Sequence, residues 1–378
     1  MRRNVCRPAG DFSSISHAHL AHEGRLFMRL QHLHLPHPIA YAHSLRLQHA
    51  LLEQHLADKK ALRLDPSLTS VAPPPTLLTF QTHPTYTVGR RHLKNNPLSP
   101  FQIAFLKGTT PRDPTKTQDG TSLATFHPSP RGGLLTYHAP GQLTAYLVCN
   151  LRTHNLTPRC YISMLENAVM RTCADQGVPN VMTTNDPGVW IAERLTSEAQ
   201  EQREIIGSPA GTSVRINGLL PTSRKICAIG VQVSSGITSH GIGLNVFDSP
   251  IPENLNNEQL YTLPKASTYA STLEAEHKDL LGLTTPADST VPAPGYLSWG
   301  FSRIVACGLE GKSVTWLSRE QQLPQQDRRG PENQAGQSGK DLTLESVAHS
   351  LANEIARSLN IEEADIDRVT EDDVEKGT

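Results

Sequence analysis

Three places in the chain carry residue types that can do chemistry. The first is Arg131-Gly132-Gly133-Leu134-Leu135-Thr136-Tyr137-His138-Ala139-Pro140-Gly141-Gln142. Glycines let backbone approach a ligand closely, and Pro-Gly marks a tight turn. A plain turn needs no arginine, tyrosine and histidine around its glycines; the competing reading is a hairpin turn with incidental polar neighbours. The second is Cys307, which closes the apolar run Phe301 to Leu309 and is followed at once by Gly308. A thiol at a strand end beside glycine can point into a cleft, where as thiolate it is a nucleophile; the default for any cysteine is a small buried hydrophobe. The third is Lys225, at the entrance of an apolar strand. An ammonium beside a thiol lowers its pKa, but a strand-edge lysine is by default a solvated charge. Spacing alone gives no reason to pair it with Cys307. His138 and His240 orient a substrate, carry protons, or are satisfied structural histidines. No phosphate-cradling glycine loop is present, in keeping with a reaction that needs no ATP.

These groups must be held by elements that the apolar pattern outlines. Residues 28 to 35 alternate and predict a strand. A helix follows from about Ile39 to Lys59, with Leu45, Leu52 and Leu56 on one stripe and Gln48 on the same stripe as a boundary residue. Pro73-Pro74-Pro75 breaks the chain, and Leu77 to Thr82 predicts a second strand. The run Leu143 to Leu151, opened by Pro140-Gly141, predicts a buried strand. Thr157-Pro158 starts a helix with a good N-cap and a proline preset for the first turn, with Ile162, Leu165, Val169 and Cys173 on its core stripe. Gly177 stops it.

Asp186-Pro187-Gly188 turns into a short strand. In Arg224 to Val233, Cys227, Ile229, Val231 and Val233 alternate toward a core, while Ile226, Ala228 and Gly230 face the other way and leave room for a ligand. Ser234-Ser235-Gly236 turns this strand into a hairpin partner, Ile237 to Val246. Gly241 and Gly243 interrupt that partner, which predicts a bulge or a close approach to its backbone. Leu344, Val347, Leu351, Ile355 and Leu359 form a last amphipathic helix.

Composition sets the bounds. The chain has 378 residues, 37% of them hydrophobic, with a net charge of −1. Mean hydropathy is −0.37. The charge balance gives no reason to expect nucleic acid or a membrane surface as partner, and no apolar run is long enough for a membrane-spanning helix. The six cysteines show no metal-ligand spacing, and several lie in apolar patterns like reduced buried thiols, which points to a reducing compartment. Residues 1–29 are arginine-rich and read as an organelle-targeting segment, a disordered tail, or an extension upstream of a start at Met28. Polar stretches near 91–130, 194–222 and 248–297 read as loop insertions, 318–340 as a disordered insertion, and 361–378 as an acidic, solvated tail. Residues 30–317 and 341–360 then make one catalytic domain.

The run Arg131 to Gln142 resembles the signature of the octanoyltransferases of lipoate biosynthesis, with Ala139 where that pattern has glycine. Further blocks follow the family's order: Pro84-Thr85-Tyr86-Thr87-Val88-Gly89, Asp186-Pro187-Gly188, Lys225 to Gly230, and Ser239-His240-Gly241 to Asn245. The last is Ala306-Cys307-Gly308, with Ala306 in place of proline. The resemblance runs from about Leu30 to Leu359. It implies an α/β (α+β) fold, a mixed sheet plus a smaller sheet with flanking helices, like the catalytic domain of biotin and lipoate protein ligases.

It also implies an acyltransferase that needs no cofactor. The substrate is an octanoyl group on the phosphopantetheine of acyl carrier protein, and Cys307 takes it as a thioester. The group then passes to a lysine Nε of a lipoyl domain of the 2-oxoacid dehydrogenase complexes or of the glycine cleavage H protein. Lys225 is assigned to activate the thiol. The acyl slot is assigned to Arg131, Gly132, Gly133, Leu134, Leu135, Thr136, Tyr137 and His138, to Ala228, Ile229 and Gly230, and to Gly241, Ile242 and Gly243. Oxyanion donors are open among the N–H groups of Gly132, Gly133 and Gly308. The family's role in eukaryotes places the protein in the mitochondrion. Three rivals stand beside this reading: an ATP-dependent lipoate-protein ligase of the same fold, a degenerate acyl-binding relative without turnover, and a cysteine hydrolase with a histidine base.

Overall fold

The tight turn at Ser235 and Gly236, both at positive φ (54° and 83°), folds two long strands onto each other at the centre of the molecule, with Ser234 facing Ile237. Around this hairpin the computed structural model describes residues 28–65, 67, 72–95, 97–107, 123–191, 204–205, 214–215, 223–252, 295–304, 313–323 and 341–376. The chain runs β1 (Leu30–Ile39), α1 (Tyr41–Leu64), β2 (Thr76–Thr82), β3 (Thr85–Val88), α2 (Arg90–Asn95), α3 (Pro100–Lys107), β4 (Thr125–Pro128), β5 (Leu135–His138), β6 (Gln142–Val148) and α4 (Pro158–Asp175). It continues β7 (Val181–Thr183), β8 (Gly188–Ile191), β9 (Glu204–Ile205), β10 (Val214–Arg215), β11 (Arg224–Ser234), β12 (Ile237–Asn245), α5 (Tyr296–Phe301) and β13 (Ser313–Val314). It closes with α6 (Leu317–Gln322), α7 (Leu344–Ser358), β14 (Ile366–Arg368) and α8 (Glu371–Lys376).

The large sheet has the order β14-β1-β2-β6-β12-β11-β8-β7-β10-β9, with β13 on β11; the small sheet is β4-β3-β5. The large sheet is mixed: β1 lies parallel to β2 and β14, while β2, β6, β12, β11 and β8 alternate in direction. One face is covered by α4 and α7, whose Leu165, Val169, Leu351 and Ile355 meet Leu143, Ile242 and Leu244. The other takes α1, where Leu47 and Leu51 meet Leu78, Phe80 and Tyr146. A separate aromatic cluster of Tyr86, Tyr137, Trp299 and Phe301 lies between the small sheet and α5. This is the α+β class read from the sequence. Helix α4 starts as expected: Thr157 Oγ1 accepts from Cys160 N at 3.2 Å, and Pro158 opens the first turn.

Several local expectations fail. Leu56 on α1 is 44% exposed, and the face turned to the sheet is Tyr41, Ser44, Leu47, Gln48, Leu51 and His55. Gln48 is therefore no boundary residue; its Oε1 accepts the His240 N–H at 2.5 Å. A polar side chain with a buried backbone donor to satisfy belongs on the inner face.

Phe301 ends a helix rather than opening a strand, because Asp248 accepts the N–H groups of Gly295, Leu297 and Ser298 and starts that helix. The stretch 91–130 contains α2, α3 and β4, and 194–222 contains β9 and β10. Leu317–Gln322, at the start of the expected disordered insertion, is helical. The acidic tail is built in: β14 pairs with β1, Val374 is 2% exposed, and Gln54 Nε2 donates to Val374 O at 2.7 Å. Its carboxylates meet basic groups, Glu375 with Arg46 at 3.3 Å and Asp367 with Arg29 at 2.5 Å. Cys149, Cys173 and Cys227 are buried free thiols, as their apolar patterns imply, while Cys160 is disulfide-bonded. Most of 248–297, residues 1–27 and residues 305–312 lie outside the described residues.

Candidate active site

Gly132 N donates to Val231 O at 3.1 Å, so the Arg-Gly-Gly segment crosses over β11 and roofs a cleft of about 290 Å³. Arg131 pins the roof. Its Nη2 donates to Thr87 O at 2.7 Å and Leu134 O at 3.0 Å, and its Nη1 to Gly132 O at 2.9 Å. Gly133 takes φ +88°, a conformation costly for any residue with a Cβ. Arg131 to Thr136, His138, Ala228 to Gly230 and Gly241 to Gly243 line the cleft, as does Lys225.

Tyr137 does not. Strand alternation turns it away from Thr136 and His138, and its ring lies 4.6 Å from that of Tyr86 in the aromatic cluster. The cleft also includes Arg91, Tyr146, Ile162, Asp186, Pro187, Val231 and His240. None of these is among the slot residues that the resemblance assigns. Ile162 sat on a core stripe and Tyr146 in a continuous apolar run, with nothing local to mark either as lining. The close approach expected at Gly241 and Gly243 comes from within the sheet: a Cβ on Gly243 would stand 2.7 Å from Gln142 Oε1, and one on Gly241 would collide with Ala145 O.

Lys225 is 4% exposed, with Nζ 4.8 Å from the Trp190 ring centroid. Two features place it. A bulge against β8 puts Trp190 opposite Lys225 and Val189 opposite Cys227, so both Ile226 and Cys227 enter the core while Lys225 lines the cleft. Strict alternation would have put Lys225 and Cys227 on one face. Gly188 supplies the room: a Cβ there would lie 2.6 Å from Lys225 Cε.

Cys307 lies outside the described residues, so its distance from Lys225 is not part of the geometry. Its described flanks are. Phe301 and Val314 both line the small hollow beside Lys225, and Val314 is the register partner of Lys225. The thiols of Cys149, Cys173 and Cys227 are buried, and burial pushes each pKa up, to about 11 for Cys149 and about 12 for Cys173. They are inert hydrophobes.

The two cleft histidines, His138 and His240, are neutral. Gln142 Nε2 donates to Asn245 Oδ1 at 2.8 Å and Tyr137 O at 3.3 Å, which leaves Oε1 to accept from His138 Nδ1 at 2.6 Å. Burial and the nearby Arg131 push His138 down to about 4, and burial, Arg131 and His138 push His240 down to about 3. Near neutral pH each keeps a single ring N–H and carries no charge. Among the described residues no cluster of His, Cys, Asp and Glu has the makings of a metal site, and no helix is long and apolar enough to cross a membrane.

A roofed apolar cleft on a mixed sheet, with a buried lysine at one end, is the frame on which known proteins can be compared. The model of the lipoyl protein ligase A/B catalytic domain matches residues 40–250. The chain belongs to the lipoyl protein ligase A/B catalytic domain family. Within that family, a Schizosaccharomyces pombe protein named "Probable octanoyltransferase" is 32% identical over 193 residues, 51% of this chain and 64% of its own. A mitochondrial octanoyltransferase of Saccharomyces cerevisiae is 29% identical over 252 residues, 57% of this chain and 66% of its own. A Danio rerio protein, named as a mitochondrial octanoyl-acyl-carrier-protein:protein N-octanoyltransferase, is 29% identical over 282 residues, 75% of this chain and 79% of its own. The chain thus spans just under two thirds of the first two relatives. The family match takes in β2 through β12, and with them the Arg-Gly-Gly roof, Gly188 and Lys225.

Proposed function

We propose that this chain transfers an octanoyl group from octanoyl-acyl carrier protein to a lysine Nε of lipoyl-dependent enzyme subunits, through a thioester on Cys307. The observation that carries the reading is a buried lysine at the end of a narrow cleft lined by glycine and aliphatic residues. The names of the octanoyltransferase relatives supply the substrate class.

In the first step the Cys307 thiol, its proton moved toward Lys225, attacks the thioester carbonyl. The new S–C bond forms, and the phosphopantetheine thiolate leaves and is protonated. Exchange between thioesters is nearly isoenergetic, so no nucleotide is needed. In the second step the acceptor amine attacks the acyl-enzyme. The N–C bond forms, the C–S bond of Cys307 breaks, and Lys225 takes the amine proton. The negative oxygen of each tetrahedral intermediate needs fixed donors; with the Gly132 N–H bonded to Val231 O, the backbone N–H groups of Gly133 and Gly308 are the candidates. Arg131 acts by holding that roof, its guanidinium being bonded to Thr87, Gly132 and Leu134. Lipoyl domains of 2-oxoacid dehydrogenase complexes and the glycine cleavage H protein are the proposed acceptors. The mitochondrion is the proposed compartment, since two of the relatives above are named as mitochondrial.

Intact mass after mixing with octanoyl-acyl carrier protein tests this. Wild type is expected to gain one octanoyl group, sensitive to hydroxylamine and discharged by an added apo-lipoyl domain. Cys307→Ser is expected to gain no thioester, and Lys225→Ala to charge at least about a hundredfold more slowly. No adduct and no transfer sinks the proposal; transfer only with ATP and free fatty acid makes the protein a ligase.

A further inference from the structure

His240 stands out in the cleft wall because nothing in the chemistry at Lys225 uses it. It lies within β12 at φ +57°, a left-handed conformation unusual for a non-glycine residue and rarer inside a strand. Regular alternation would put its side chain with Ile242 and Leu244, in the core under α4. The positive φ turns the ring to the opposite face, where it meets the Tyr146 ring edge-on at 5.4 Å. The backbone is held in this conformation from outside the strand: its N–H is donated to Gln48 Oε1 of α1, 192 positions away, and Gln48 is 4% exposed. The ring itself is 1% exposed, and both its nitrogens are buried with no hydrogen-bond partner among the described residues. Such a ring serves as a wall rather than as a polar contact.

Its place along the cleft gives the wall a meaning. His240 is the register partner of Val231; Lys225 stands six residues earlier on β11, and its side chain runs forward to Gly188, the register partner of Ala228, so the ammonium lies about three residues, roughly 10 Å along the strand, from His240. Between them the floor is made by Ala228, Gly230, Gly241 and Gly243. The small residues stop at His240. The Arg131–Gly132 roof closes over the same end, through the Gly132 N–H on Val231 O.

We infer that His240, held by Gln48, ends the acyl slot and limits the length of the saturated acyl chain that the protein accepts. This rests on the acyl-transfer reading above. A chain tethered near Lys225 lies over the glycine floor and meets the His240–Tyr146 pair with its methyl end. Gln48 is then a positioning residue: it touches no substrate, and acts by keeping the ring on the cleft side of the sheet.

The test compares octanoyl- with decanoyl- and dodecanoyl-acyl carrier protein as donors, reading acyl-enzyme formation by mass under single-turnover conditions. His240→Gly suits the positive φ and removes the ring; it is expected to raise the decanoyl-to-octanoyl rate ratio at least about tenfold, the scale on which a pocket discriminates by methylenes. Gln48→Leu is expected to shift the ratio in the same direction by a smaller factor, with its melting curve recorded alongside. An unchanged ratio in His240→Gly, with the wild type charging normally, overturns the inference and leaves the proposed function standing. Loss of charging by His240→Gly with every donor also overturns it, since the ring would then serve the chemistry or the fold. A wild type that accepts no acyl group from any donor overturns both readings.

Discussion

At Lys225 the deciding neighbour is a glycine. Gly188 sits at φ +136° against the lysine stem, where an added Cβ would lie 2.6 Å from Cε and 3.1 Å from Nζ. Gly188→Ala therefore displaces the ammonium without touching it chemically. Acyl-enzyme formation is expected to fall by about tenfold or more, given what small misplacements do to positioned groups. A wild-type rate in a well-folded Gly188→Ala variant would count against Lys225 as the activating group. At this scale the sequence was most readable where a motif is contiguous. The Arg131 to His138 run lines one wall of the cleft apart from Tyr137, and that exception follows from strand parity. What could not be read is the bulge that separates Lys225 from Cys227, since a bulge is a property of two strands and leaves no mark on one. The same holds for Gln48, whose partner His240 is brought to it only by the packing of α1 on β12.

Among the elements, those specified by neighbouring residues agree with expectation: the Thr157 cap, the Ser235-Gly236 hairpin and α7. Elements specified from far away do not. Helix α5 depends on Asp248, which precedes it by about fifty positions, so the apolar run at Phe301 reads equally well as a strand. The acidic tail was read as solvated because charge dominates it, yet a few contacts suffice to dock it: β14 on β1, and Val374 against Leu47 and Leu51 of α1. Truncation after residue 360 should therefore destabilise the fold. Val374 alone contributes roughly 1.5–3 kcal/mol by burial, and the bare edge of β1 adds a tendency to self-associate. A melting temperature and a sedimentation profile matching the full chain would show the tail to be dispensable.

On the scale of the whole molecule, buried histidines govern the response to acid. His32, His55 and His138 are held down to about 4 and His240 to about 3, in each case mainly by burial. The unfolded chain binds these protons near pH 6.5. Above that pH the groups are neutral in both states and the full stability is present. As pH falls from about 6.5 toward about 4, the unfolded state takes up protons that the folded state refuses, so stability is lost. Each group contributes up to on the order of 3 kcal/mol across that window. The melting temperature is expected to fall between neutral pH and pH 5. His55→Leu should flatten the slope, because His55 has a buried ring nitrogen with no partner among the described residues. A melting temperature independent of pH over this range would contradict it.

The pairing of β1 with β14 has a consequence in time. Arg29 and Asp367, which flank that junction, are 338 positions apart in the chain. A ribosome adding about 5–20 residues per second produces the second partner on the order of tens of seconds after the first. Throughout that interval α1 and the outer edge of β1 have no cover, so the growing chain carries an unfinished surface that only a helper protein or its own completion can hide.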